Sequence, residues 1–181
     1  MNLTKICVVT LLALLTLPLL AQELEYRFQP GRNINLGAGY GLPYGGLGFG
    51  MDMYVFEKLA VNLGIGSLGH SAGFEAGLKY LLGDLHSQWR PEATLLYGVN
   101  GIYIMENDEV SQTEVYNGIT AGLGVQAMFG KNRRHGLDAG ATYVVSSGLY
   151  KRLEELEGYE FELNSRLGFY LGYRFAFELK Y

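Results

Sequence analysis

Five acids, Asp52, Glu75, Glu92, Asp138 and Glu178, and three bases, Lys79, Arg166 and Arg174, occupy the polar positions of segments that otherwise alternate apolar with small residues. Carboxylates set among ammonium and guanidinium groups can pair into a closed network or line an ion path. Buried charges must be paired or hydrogen-bonded. If this face is an interior, the expectation is a salt-bridge and hydrogen-bond network that plugs it, with a narrow, gated ion path as the alternative. His70, Ser71 and Glu75 have the residue types for nucleophilic catalysis. The base must reach the hydroxyl, yet neighbours on a strand point to opposite faces, so an ordinary polar loop is expected. His86 and His135 fall in turns with no cysteine or second ligand nearby, and a metal needs more ligands than that. No catalytic residue, metal or cofactor is therefore expected. Lys131, Arg133, Arg134 and His135 form a basic tip, read as a solvated turn. Gly37-Ala38-Gly39 has no following helix, which phosphate cradling requires.

The elements that would position these residues repeat with a period of two, the mark of strands with one apolar face. Eight segments qualify: 33–41, 46–55, 59–66, 72–82, 91–105, 117–129, 136–147 and 165–181. The last is the clearest. Leu167, Phe169, Leu171, Tyr173, Phe175, Phe177, Leu179 and Tyr181 alternate with Arg166, Gly168, Tyr170, Gly172, Arg174, Ala176, Glu178 and Lys180. In the fifth segment Val99 falls on the apolar side, while Leu96 and Ile102 interrupt the polar side. In the seventh, Ser146 falls on the polar side. Short connections make the segments antiparallel neighbours. An even number of strands returns both ends of a barrel to one side. The connections on the other side are then 42–45, 67–71, 106–116 and 148–164, against 56–58, 83–90 and 130–135 on the first. The two longest fall together, as in barrels with long outer loops and short periplasmic turns. Within the last outer connection, 152–162 is acidic and is expected to be a solvated loop or a short helix.

The start of the chain bears on compartment. Met1 to Lys5 is short and positive, Ile6 to Leu20 is apolar, and Ala21 offers a small residue for cleavage. This pattern is that of a secretory signal peptide over 1–21, with a retained anchor as the alternative. The apolar run is short of the ~20 residues a spanning helix needs. A short segment, 22–32, would then precede a single domain over 33–181. The one cysteine, Cys7, lies inside the leader, so the mature chain would have neither disulfides nor thiol chemistry. Without Lys5 the 14 basic residues become 13 against 18 acidic ones, and the net charge goes from −4 to −5. That composition excludes nucleic acid as a partner, since binding it takes a concentrated basic surface. The 26 glycines, 14 tyrosines and 4 prolines suit short aromatic strands and turns.

A soluble sandwich or lipocalin-like barrel could put the charged face in water. The glycines favour the other solution. Many lie on the polar face, where in a solvated sheet they would only weaken strands. Inside an eight-stranded barrel the space barely holds side chains, and glycine would make room for Tyr54, Tyr170 and the arginines. Two aromatic belts complete the pattern, with Trp89, Phe129 and Tyr181 toward one boundary and Tyr40, Phe74, Tyr103 and Tyr143 toward the other. The expected fold class is all-β, an eight-stranded antiparallel up-and-down transmembrane β-barrel.

On the leader, the eight segments and the closing GYRFAFELKY, the chain resembles small outer-membrane β-barrels of Gram-negative bacteria, the OmpA/OmpX-like class. The turns in VFEKLAVNLGIG and FGKNRRHGLDAGATY are similar in style to barrels of the Bacteroidetes type. The resemblance implies an outer-membrane location and lipid contacts. It also implies insertion by the barrel-assembly machinery, which reads an alternating ending closed by an aromatic residue. Tyr173, Phe175, Phe177, Leu179 and Tyr181 match that signal, with tyrosine where phenylalanine is commoner. Lipid A deacylases of this architecture carry a His/Ser/Glu set, but their His-x-Ser spacing is absent at His70-Ser71. The expected role is non-enzymatic: structural, or surface interaction with an extracellular partner at 106–116 and 148–164. A narrow channel is the alternative and a barrel-embedded lipid A hydrolase a distant one.

Overall fold

The computed structural model describes residues 33–85, 87–107, 110–149 and 166–178. Eight strands run β1 Asn33–Gly41, β2 Gly46–Tyr54, β3 Leu59–Ser67, β4 Ala72–Leu81, β5 Trp89–Asn107, β6 Val110–Phe129, β7 His135–Ser147 and β8 Leu167–Glu178. Each pairs antiparallel with the next, and β8 pairs with β1, closing the barrel. No edge strand remains to recruit another chain. No helix among the described residues is long and apolar enough to cross a membrane, which says nothing of crossing by strands. The expected leader over 1–21, the segment 22–32, the acidic stretch 152–162 and His86 lie outside the described residues.

Period-two alternation sorts the side chains as the pleat requires. Phe49, Leu123 and Phe169 point outward and are 65–69% exposed. Asp52, Lys79, Glu92, Asp138 and Arg174 point inward and are at most 1% exposed. The molecule is therefore apolar outside and charged inside. Trp89 and Phe129 are exposed near the end bearing the short turns, and Tyr40, Phe74 and Tyr143 near the opposite end, where the four loops lie. Tyr181 lies outside the described residues.

The structure departs from simple alternation in the second half. The connection expected over 106–116 is mostly strand. β5 and β6 continue as a hairpin to the pair Asn107 and Val110, because β-branched and aromatic residues run past the rim on both sides. Two bulges also reset the inside-outside parity. Asn100 is extra between the pairs Val99–Asn117 and Gly101–Tyr116, so Val99 turns inward and is 2% exposed rather than joining the outer face. Val145 is extra between Ser146–Ile119 and Val144–Thr120. Ser146 is consequently exposed rather than inward, and its hydroxyl accepts the Ile119 N–H at 3.2 Å; Val144, before the bulge, keeps the inward parity of Asp138 and Thr142.

Asn100 spans the two irregular strands. Its amide donates to the Ser146 carbonyl at 2.9 Å and to Thr120 Oγ1 at 3.3 Å, passing across β6. Gly118 on β6 leaves the gap: a Cβ there would meet the Ser146 carbonyl oxygen at 1.9 Å and the Asn100 amide at 2.8 Å. Gly118→Ala should therefore destabilise the barrel by ~1–3 kcal/mol, the usual cost of overpacking. Gly83→Ala, whose nearest neighbour would lie at an ordinary 3.5 Å, should be close to neutral. Urea unfolding of the refolded protein followed by tryptophan fluorescence compares the two, and equal midpoints would contradict the assignment.

Candidate functional site

Five strands bring one charge each to the middle of the lumen. Lys79 on β4 reaches Asp52 on β2 at 3.1 Å, Glu92 on β5 at 3.2 Å and Asp138 on β7 at 3.9 Å. Arg174 on β8 holds Asp52 through Nη1 at 2.7 Å and Asp138 through Nε at 2.5 Å. The remaining carboxylate oxygens find neutral donors. The Asn62 amide donates to Asp52 at 2.6 Å, the Tyr170 hydroxyl to Glu92 at 2.9 Å, and the Tyr44 hydroxyl to Asp138. All six oxygens of the three acids thus have a partner. Three acids against two bases leave one formal negative charge, spread over a network of neutral donors.

Tyr44 comes from an unexpected direction. The connection between β1 and β2, expected as a short outer loop, instead folds into the barrel as one 3-10 turn, Leu42–Tyr44. Pro43 starts the turn and Gly45 ends it in the left-handed region, φ 67°, with its N–H donating to the Leu42 carbonyl at 2.8 Å. Pro43 and Tyr44 are buried, and the Arg174 guanidinium stacks over the Tyr44 ring at 4.8 Å.

The glycines form the bed for this loop. A Cβ at Gly39, Gly50 or Gly172 would meet the Tyr44 ring or hydroxyl at 2.7, 3.1 and 2.1 Å, and one at Gly64 would meet the Pro43 carbonyl oxygen at 2.6 Å. Others serve as expected: Gly124 and Gly140 admit Tyr170, and Gly37 admits the Arg174 stem. Tyr54 does not depend on glycine. It packs with Ala60, Leu81 and Leu85 in a buried apolar cluster at the turn end, and its hydroxyl accepts from Asn35 at 3.4 Å.

The other expected members of the charged set stand apart. Glu75 is in the lumen, 2% exposed, but neither of its oxygens is hydrogen-bonded among the described residues. Arg166 is exposed and precedes β8, so it does not share the interior network: the sheet begins one residue after it. Glu178 ends β8, its backbone paired with Asn33 far from the central charges. Arg90, which the alternation did not single out, is an interior cation, 5% exposed, whose Nε donates to the Ser87 carbonyl at 3.1 Å. Tyr44, Asn62 and Tyr170 were likewise missed as members. Only LPYG between glycine-rich strands hinted at the inserted turn.

The catalytic alternative has no assembled relay. His70 is exposed, the Ser71 hydroxyl lies 3.4 Å from the Ala72 carbonyl, and Glu75 is inside the barrel. His135 belongs to the outer aromatic face, its Nδ1 2.5 Å from the Tyr173 hydroxyl and its ring between Phe129 and Phe175. Among the described residues no group of three or more His, Cys, Asp or Glu could hold a metal ion. Of the C-terminal pattern, Tyr173 and Phe177 are exposed and Phe175 is half-buried, whereas Leu179 and Tyr181 lie outside the described residues.

This architecture has a solved counterpart. It is similar to the N-terminal β-barrel domain of OprF from Pseudomonas aeruginosa, with a TM-score of 0.52 and 15% identity, over 82% of this chain and 100% of that one. At that identity the likeness is one of fold. No protein-family model matches the chain, and no curated protein does.

Removing one partner of a buried charge set leaves the others uncompensated, at a typical cost of ~3–5 kcal/mol. Lys79→Met should destabilise by about that much, because three carboxylates lose their shared cation. Tyr44→Phe removes one donor and should cost less, ~1–3 kcal/mol. Glu75→Gln replaces a buried carboxyl group that has no hydrogen-bond partner among the described residues, and should not lower the urea midpoint. A lower midpoint for Glu75→Gln than for the parent would show that the carboxylate is compensated after all.

Proposed function

We propose that the chain is an integral outer-membrane β-barrel protein of the OmpA/OmpX-like class, with a structural or surface-interaction role and a lumen plugged by its own side chains. The observation that carries this reading is the reversed polarity of the barrel. Large apolar side chains are exposed on all eight strands, while the charges are enclosed. Water would penalise such a surface, whereas lipid would bury it. A closed barrel is also the one β-architecture that satisfies its backbone in hydrocarbon.

In this reading residues 1–21 are a cleaved leader, 22–32 a short periplasmic segment and 33–181 the barrel. The turn end faces the periplasm and the loop end the exterior. Tyr173, Phe175, Phe177, Leu179 and Tyr181 act as the address read by the assembly machinery. The β5–β6 hairpin and the segment 148–164 present the surface to an extracellular partner. No enzymatic activity is assigned. The plug is favoured over a channel because Lys79, Arg174, Tyr44 and Tyr170 converge on one level of the lumen from several sides, and eight strands enclose little more than their own side chains.

Fractionation of cells expressing the full chain should place it with outer-membrane proteins. Unboiled samples should migrate differently from boiled ones on a denaturing gel. A soluble periplasmic protein with no mobility shift would overturn the reading. In planar bilayers the refolded barrel should show no large, stable conductance; a wide, constantly open pore would refute the plug while leaving the barrel intact.

A further inference from the structure

We propose that the turn end of the barrel holds a binding site for a phosphate group. A cavity of about 260 Å³ opens there, lined by Asn33 and Asn35 of β1, Arg90 of β5, and Asn132, Arg133 and Arg134 of the β6–β7 turn. Three elements distant in sequence thus bring three guanidinium groups and three amides to one concavity. No acidic residue is among its described lining residues. Asp84 and Arg133 both lie close enough to act on the Arg90 charge, the first favouring it and the second opposing it.

Arg90 gives the site a fixed member. It is 5% exposed, and its Nε is tied to the Ser87 carbonyl, which holds the planar group at the cavity wall. Guanidinium forks match the oxygens of a phosphate group and bind it through paired donors, and asparagine amides add further N–H groups. The opposite side is built on a constrained turn. Asn132 and Arg133 are the two described non-glycine residues with left-handed backbones, φ 61° and 52°. Arginine rarely adopts that conformation, and such residues persist where the surroundings over-determine them. One restraint is visible: the Ala176 N–H donates to the Arg134 carbonyl at 2.7 Å, pinning the turn to β8.

Size narrows the ligand. The cavity falls below the ~300–1,000 Å³ common for drug-sized molecules, so it suits one small oxyanion or a single headgroup. Leu85 belongs both to the cavity wall and to the buried apolar cluster with Tyr54, Ala60 and Leu81, so the site ends on an apolar floor. The same chemistry can come from free phosphate or from a phospholipid whose headgroup reaches the mouth.

Calorimetric titration of the full barrel, refolded in an uncharged detergent at constant ionic strength, tests the site. Inorganic phosphate is one arm, and phosphatidylglycerol against a neutral glycolipid is the other. Saturable binding in either arm is expected, weakened on the order of tenfold in Arg90→Gln and in the double variant Arg133→Gln/Arg134→Gln. Binding of phosphate alone assigns the site to a free anion; binding of phosphatidylglycerol alone assigns it to a headgroup. Absence of saturable binding in both arms overturns the proposal, as does binding that survives the double variant. Should Arg90→Gln lose its heat-modifiable mobility, the double variant, whose side chains are exposed, decides alone.

Discussion

Eight strands closed on themselves enclose a space only as wide as side chains, and this barrel puts its charges into that space. Everything else follows from settling them. Lys79 and Arg174 must be shared among Asp52, Glu92 and Asp138, and they come from different strands around the barrel. The network therefore acts as a register check on the sheet. A one-residue slip of β4 or β8 would carry a cation to the outer face, which in the proposed membrane setting costs ~2–4 kcal/mol for Lys or Arg at the bilayer midplane.

The network is completed by a piece of chain from outside the sheet. Tyr44 reaches Asp138 and lies under the Arg174 guanidinium because Leu42–Tyr44 turns into the lumen. Backbone brought into a confined interior needs both room and hydrogen bonds. Gly39, Gly50, Gly64 and Gly172 supply the room, drawn from β1, β2, β3 and β8. The other half of the barrel is filled differently, by Tyr170 against Gly124 and Gly140 and by inward Leu96, Val99 and Val144. One lumen is thus packed by a loop on one side and by large side chains on the other.

The bulges on β5 and β7 have a related physical role. Both lie where the sheet continues past the central network toward the loop end; the first turns Val99 inward and the second turns Ser146 outward. Val99 and Val144 cap the polar interior there, while Asn100 bridges β5 to β7 over Gly118. Leu96 and Val144 enter this layer by plain alternation and Val99 through its bulge.

Much of this was legible in the residues alone. Period-two alternation located all eight strands, because the pleat forces successive side chains to opposite faces whatever the tertiary setting. It also placed Asp52, Lys79, Glu92, Asp138 and Arg174 on one face, and the structure joins those five in one network through Lys79 and Arg174. Alternation reports a face, however, and not a height or a partner. It could not separate Glu75 and Glu178 from the central set, nor exclude Arg166, which falls just outside the sheet. It could not foresee the bulges at Asn100 and Val145, since an inserted residue depends on what the neighbouring strand offers. Above all it gave no direction to Leu42–Tyr44. A four-residue connection with Pro43 and Gly45 specifies a tight turn, which can bend away from the barrel or into it. Only closure of the sheet, which sets glycines from four strands around one empty volume beside Asp138 and Arg174, decides that it bends inward.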